Sequence, residues 1–250
     1  MRRLLGCLAF GLLGLLSACG TGAEPQARWQ NPPPVEQLRL VSDGKPVPVA
    51  ASVVTTTGTD AVALTFDDGP DPEYTPQLLG MLRQHGVKAT FCLVGSNVQR
   101  HPELVQAIAR DGHTLCNHTW SHDLRLGTRS ADLIRADLQR TNDAIRQAVP
   151  GTAVPYFRHP GGKWTPAAVS VARELGMSSI GWQVDTDDWN TGGYGAGLKQ
   201  HIVTVVNGQT KPGSIVLAHD GGGDRKATMA AFRELLPGLV GRFTLVALPR

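Results

Sequence analysis

Apolar and polar positions follow two different rhythms along this chain. From Ala61 onward, short apolar runs of strand length alternate with longer stretches where leucine, isoleucine and valine recur at helical spacing. The pattern predicts strands at 61–66, 88–94, 113–116, 155–157, 177–184, 214–218 and 243–248. It predicts helices at 75–85, 102–110, 130–149, 166–175, 198–206 and 228–236. The longest of these has Leu133, Ile134, Leu138 and Ile145 as its buried stripe. Strand–helix repetition implies parallel strands with helical crossovers. Seven strands over roughly 190 residues suit a slightly short, distorted β/α barrel or a doubly wound sheet.

The first sixty residues follow neither rhythm. Arg2 and Arg3 precede the apolar run Leu4 to Leu16, and small residues follow. That is the build of a secretory signal peptide, and the run is short for a membrane span. Its end, Leu16-Ser17-Ala18-Cys19, resembles the lipobox of bacterial lipoproteins. The resemblance implies a signal peptide over residues 1–18, cleavage before Cys19 and a lipid on that cysteine. The chain is then exported and held on the extracytoplasmic face of the membrane. Residues 19–59 carry Pro32-Pro33-Pro34 and Pro46-Val47-Pro48 and read as an extended, Pro-rich tether, with a short hairpin about residues 42–45. Residues 60–250 form the folded domain.

Composition narrows the function classes. Hydrophobic residues make up 41% and charged residues 18% of the 250, which are globular values. Loss of residues 1–18 removes Arg2 and Arg3 and lowers Lys+Arg from 24 to 22, against 21 Asp+Glu. A nearly neutral chain is not an electrostatic nucleic-acid binder. Cys92 and Cys116 remain after Cys7 and Cys19 are accounted for. Both fall on predicted strands. They are either a bridge between neighbouring strands, as an exported protein permits, or two small buried hydrophobes.

In either parallel architecture, ligand sites lie at the carboxyl ends of the strands. Those ends hold the chemistry. The first strand runs into Asp67-Asp68 and the turn Gly69-Pro70. Others end in Asn117-His118-Thr119-Trp120-Ser121-His122, in Arg158-His159-Pro160-Gly161-Gly162, in Asp185-Thr186-Asp187-Asp188-Trp189 and in His219-Asp220. Aspartates, histidines and an arginine therefore gather on one rim. Two histidines four apart with a distant carboxylate suit a catalytic metal site, with a coordination position left for water. A dication there lowers the pKa of that water and makes it a nucleophile. His85, His101 and His201 read as surface positions, His113 as structural, and Trp120 as groove lining or buried support.

Taken in order, Thr65-Phe66-Asp67-Asp68-Gly69-Pro70, His118-Thr119-Trp120-Ser121-His122, Arg158 to Gly162, Asp185 to Trp189 and Ile215-Val216-Leu217-Ala218-His219 resemble five motifs of the polysaccharide deacetylases. These are the NodB-homology, or family-four, carbohydrate esterases. The resemblance implies a distorted (β/α)7 barrel. It implies one divalent metal on Asp68, His118 and His122, usually zinc and in some members cobalt or nickel. Asp67 becomes the general base and Arg158 the group that orients it. His219 becomes the general acid, with Asp185 positioning Arg158 or tuning His219. Gly161 offers its backbone N–H to the oxyanion, and Trp189 and Leu217 wall the acetyl pocket. Where the family commonly has an aromatic residue this chain has Gly161. The runs Asp220 to Arg225 and Asn190 to Gly197 read as mobile loops on the substrate side.

The expected reaction is removal of N-acetyl groups from amino-sugar polymers of the envelope, peptidoglycan or chitin-like oligomers. Metal-activated water attacks, with an Asp base and a His acid. The expected partners are the acetylated polysaccharide and a membrane reached through the lipid anchor, with no nucleic acid and a monomeric chain. Two other readings stand beside it: an O-deacetylase of the same mechanism, such as an acetyl xylan esterase, and a non-catalytic glycan-binding lipoprotein.

Overall fold

A computed structural model describes residues 52–250. The signal peptide, Cys19 and the tether up to residue 51 lie outside the described residues. The elements run β1 (Val62–Asp67), α1 (Tyr74–Gln84), β2 (Thr90–Leu93), α2 (Gly95–Arg100), α3 (Pro102–Arg110), β3 (Thr114–Asn117), α4 (Ala131–Ala148), β4 (Tyr156–Phe157), α5 (Pro166–Glu174), β5 (Ser178–Ser179), β6 (Val184–Asp185), α6 (Thr191–Tyr194), α7 (Leu198–Gln209), β7 (Ile215–His219), α8 (Lys226–Arg242) and β8 (Leu245–Val246).

The strand pairs are parallel, in the order β5-β4-β3-β2-β1-β7-β6, with β8 beside β1. The ends of that order, β5 and β6, are separated in the chain only by residues 180–183. The single strand expected at 177–184 is thus split between two neighbours. Ile180 N donates to Phe157 O on one side and Gln183 N to Ile215 O on the other. The sheet curls round on this segment into a half-barrel of parallel strands rather than a flat doubly wound sheet.

Curling gives the sheet two buried faces, and this is why its longer strands read as unbroken apolar runs. The outward side chains Val62, Leu64, Phe66, Phe91, Leu93, Leu115 and Val216 pack with the helices. The inward ones, Ala63, Cys92, Cys116, Ile180 and Ile215, form a smaller inner cluster with Leu248. Each fully buried side chain of this size contributes on the order of 1.5–3 kcal/mol. Cys92 and Cys116 are register partners on β2 and β3, with Cα atoms 4.2 Å apart, and are joined by a disulfide.

Local signals set several element ends. Ser130 caps α4 by accepting from Leu133 N, and Thr165 caps α5 ahead of Pro166. Leu133 itself is 59% exposed, so the buried stripe of α4 starts at Ile134. It sits in the first turn, on the side away from the sheet. Helix α8 continues through Pro237 to Arg242, past the expected end, because Phe232, Leu235, Leu236 and Leu239 bury residues on both sides of the proline. The short helix α2 has no counterpart in the expected pattern. Residues before 60 also bond to the folded domain. Val54 N donates to Ser179 O, Gly181 N to Val54 O, and Thr57 N to Gly213 O.

Candidate active site

Two carboxylates converge at the end of β1 because the strand stops between them. Asp67 is its last residue. Asp68 has φ 74°, a left-handed conformation uncommon for a side-chain-bearing residue. That twist turns the Asp68 side chain towards the centre that Asp67 faces. Asn97 Nδ2 holds the Asp68 carbonyl oxygen at 2.8 Å. From the other side Gly221 and Gly222 press against it. A Cβ on Gly221 would stand 2.6 Å from Asp68 O, and one on Gly222 would collide with Asp68 Oδ2. The run from Asp220 to Arg225, expected as a loop on the substrate side, is anchored at the site, with residues 222–224 exposed. Its two ends, Asp220 and Arg225, are buried and it packs on Asp68.

The histidines arrive from β3. Buried Asn117 donates to Leu138 O and Asn142 Oδ1, and its own Oδ1 accepts from Thr119 N. This anchors a loop in which Thr119 and His122 also take left-handed conformations, φ 68° and 57°. His118 Nδ1 lies 2.8 Å from Arg158 O. A carbonyl can only accept, so Nδ1 carries the proton and Nε2 offers its lone pair. Asp68 Oδ1 lies 3.3 Å from His118 Nε2 and 3.2 Å from His122 Nε2.

These three residues form a group of ligand atoms all within 4.8 Å of one another. Asp68 Oδ1 is buried and has no hydrogen-bond partner among the described residues. A carboxylate, two imidazoles and an orphaned oxygen facing them fit a divalent cation. The contact of His118 Nδ1 with Arg158 O fits as well, since such a donor to a backbone carbonyl is the usual support for a metal-ligating ring. Burial opposes ionisation of Asp68, but His118, His219 and His122 outweigh it and hold the carboxyl below its ordinary range. Burial likewise opposes protonation of His118, and Asp67 and Asp68 outweigh it to raise that imidazole. At His122 burial prevails and lowers it.

Arg158 is fully buried beneath Asp67. Its Nη1 donates to Asp67 Oδ1 at 2.8 Å and Thr65 Oγ1 at 2.9 Å, and its Nη2 to Gly181 O at 3.0 Å. The Trp182 ring lies 5.6 Å from its guanidinium. One oxygen of Asp67 is thus fixed, and the other, Oδ2, points to within 3.7 Å of His118 Nε2.

His219 ends β7 and pairs with Asp188, not with Asp185. Asp188 Oδ1 lies 2.6 Å from His219 Nδ1, while its Oδ2 accepts from His219 N at 2.9 Å and Thr228 Oγ1 at 2.8 Å. Asp185 instead accepts from Asp187 N, and neither Arg158 nor His219 is a hydrogen-bond partner of its side chain. The reason is local: Asp187 takes φ 51°, and this bend carries Asp188 under His219. Burial works against protonation of His219, but Asp188, Asp68 and Asp67 outweigh it and raise the imidazole to about 9. Asp188 is lowered, its burial overcome chiefly by His219.

Leu217 is buried two residues before His219, on the same face of β7, whereas Trp189 is 55% exposed beside Asp188. Gly161 adopts φ 60°, and a Cβ there would stand 3.0 Å from exposed Leu124. His113 is structural, as expected. It accepts from Ala89 N, and burial lowers it to about 4. Asp220 belongs to the site although its motif assigns it no role. It is fully buried, accepts from Thr75 Oγ1 at 2.5 Å, and burial pushes it up to about 7, with Asp68 and Asp67 adding.

Known proteins resemble this chain in sequence and fold. Residues 55–180 match the polysaccharide deacetylase family. A chitooligosaccharide deacetylase of Sinorhizobium fredii is 36% identical over 205 residues, which cover 78% of this chain and 93% of that protein. The crystal structure of a peptidoglycan N-acetylglucosamine deacetylase superposes with TM-score 0.73 at 33% identity, covering 82% of this chain and 95% of that one. A CE4 family pseudoenzyme from Bacillus anthracis superposes with TM-score 0.68 at 30% identity, covering 76% of this chain and 64% of that one. With family match, identity and fold in agreement, this chain belongs to the polysaccharide deacetylase family.

Proposed function

We propose that the chain is a metal-dependent N-deacetylase of amino-sugar polymers of the cell envelope, peptidoglycan or chitin-like oligomers. One observation carries the reading. An arginine-held carboxylate, Asp67, and an aspartate-held imidazole, His219, end adjacent strands beside the Asp68–His118–His122 group. Base and acid are separate groups held by different partners, as acid–base hydrolysis of an amide needs.

A dication on Asp68, His118 and His122, zinc above all, would polarise the acetyl carbonyl and acidify a water. The chain's own residues do the rest. Asp67 Oδ2 is the free oxygen that takes the proton of the attacking water, and Arg158, bonded to Oδ1, fixes the carboxylate's plane. The Gly161 N–H donates to the developing oxyanion. His219, with Nδ1 tied to Asp188, presents Nε2 to the leaving nitrogen and protonates it. Leu217 and Trp189 supply apolar walls suited to an acetyl methyl.

A fold of this kind also occurs in a pseudoenzyme, so the fold alone does not argue for catalysis. The retained set of Asp67, Asp68, His118, His122, Arg158 and His219 does, since glycan binding alone needs neither a base nor an acid. We propose further that the protein is exported and lipid-anchored through Cys19. The Cys92–Cys116 disulfide supports an oxidising compartment. Mass spectrometry of the mature N-terminus decides the anchor: a diacylated or triacylated Cys19 is expected, and an unmodified start elsewhere excludes it.

The activity is tested with metal-reconstituted protein on N-acetylglucosamine oligomers, peptidoglycan and acetylated xylan, with acetate release as the readout. Release from the first two above xylan is expected. Preference for xylan would make the protein an O-deacetylase, and no release from any would make it a binding protein.

A further inference from the structure

We infer that Thr228, in the first turn of α8, is a positioning residue for the acid half of the site. The inference rests on the reading of His219 as general acid. Asp188 is fully buried, so only protein groups reach its carboxylate. Its two oxygens are used differently. Oδ2 accepts from both His219 N and Thr228 Oγ1, at 2.9 and 2.8 Å, whereas Oδ1 faces only His219 Nδ1, at 2.6 Å. Among the described residues these are the carboxylate's partners, and two donors on one oxygen fix its rotation. The other oxygen is then aimed at the imidazole, which sets the ring's tautomer and tilt.

In the first turn of a helix no preceding turn offers a threonine hydroxyl a carbonyl to bond back to. Thr228 Oγ1 instead reaches 40 residues back along the chain, to Asp188. The helix has a use for this contact. No acidic residue occupies the first turn of α8, and its first N–H, that of Lys226, is capped from outside the helix by Asp224 Oδ1 at 2.9 Å. The Asp188 carboxylate adds a second, buried negative charge of the kind that a helix N-terminus favours. Arg225, the residue before the helix, completes the clamp. Its Nη1 donates to Asp188 O at 3.0 Å and its Nε to Gly221 O at 2.7 Å. The two loops that flank His219 are thereby tied to the start of one helix. Removal of the Thr228 hydroxyl leaves Oδ2 with a single donor and frees the carboxylate to turn away from Nδ1.

The test uses leaving groups. An amine must be protonated to depart, whereas a nitrophenolate need not be, so the acid matters for an N-acetylglucosamine oligomer and little for 4-nitrophenyl acetate. In the metal-loaded full chain, Thr228→Val should lower the amide-to-aryl-ester ratio of kcat about tenfold, a part of the hundredfold or more that general acid catalysis supplies. KM for the oligomer should stay within about twofold, and Thr228→Ser should restore most of the ratio. Equal loss on both substrates, an unchanged ratio, or failure of serine to restore it overturns the inference. If Thr228→Val does not fold, Thr228→Ala is judged by the same ratio. His219→Ala is the reference. If it too leaves the ratio unchanged, His219 is not the acid and the underlying reading falls. If it lowers the ratio and the Thr228 variants do not, only the role of Thr228 falls.

Discussion

Asp67 and His219 are register partners on the adjacent parallel strands β1 and β7. Residues in register on parallel neighbours point to the same face, and the strands lie about 4.8 Å apart. The carboxylate proposed as base and the imidazole proposed as acid are therefore placed by backbone pairing rather than by loops. Two steps back along the same strands, Thr65 and Leu217 are also in register, and Thr65 supports Arg158.

This placement separates Asp67 from its neighbour in function. Asp67→Asn keeps the size and the Arg158 contact but cannot take a proton. Turnover should fall by about two or more orders of magnitude with metal retained. Asp68→Asn should instead weaken metal binding, because an amide is a poor substitute for a carboxylate on a dication. Bound metal and acetate release over a metal titration distinguish them. Loss of metal in Asp67→Asn with retention in Asp68→Asn would reverse the roles.

The His219–Asp188 pair predicts a pH dependence of stability in the metal-free protein. The imidazole is raised from its ordinary 6.5 to about 9 in the fold. A raised pKa stabilises fully below the unfolded value and loses that contribution as pH rises through the folded one. Melting temperature in chelator should therefore decline between about pH 6.5 and 9, and Asp188→Asn should flatten that decline. A wild-type melting temperature that is level across this window would show that the pair is not coupled as drawn.

Gly222 should be intolerant of a side chain for reasons of metal binding. It has φ 74°, and a Cβ would strike Asp68 Oδ2. Gly222→Ala should lower metal affinity roughly 10- to 100-fold, the scale seen when a ligand's support is disturbed. Competition against a chromophoric chelator measures it. Wild-type affinity in a folded Gly222→Ala protein would mean that the contact yields without moving the ligand.

The disulfide should matter to stability. It joins residues 24 apart, and cross-links of that span typically contribute about 3 kcal/mol. The double variant Cys92→Ala/Cys116→Ala should unfold at correspondingly lower denaturant. An unchanged midpoint would count against the bridge.

Much of this site is legible in the amino-acid sequence, because polar residues at strand ends interrupt an otherwise apolar pattern. Asp67, Asp68, His118, His122, Arg158 and His219 stand out in that way. The choice between Asp185 and Asp188 does not, since it turns on one left-handed residue, Asp187, amid three aspartates. Its tie to Thr228 is invisible too, because a threonine in a helix carries no motif and its partner lies 40 residues away. The split of the 177–184 strand has a similar origin. Gly181 sits at the break, and its peptide bonds to groups outside the sheet.

That peptide faces two ways. Its N–H is taken by Val54 O at 2.7 Å and its carbonyl by Arg158 Nη2 at 3.0 Å, and the same guanidinium grips Asp67. The approach segment and the base are thus the two ends of one short mechanical linkage. A protease nick or an engineered truncation just after Val54 would slacken the guanidinium that aims the base, although every motif residue would still be present. A shortened version of this enzyme that lacks Val54, eight residues before the first strand, would lose this linkage.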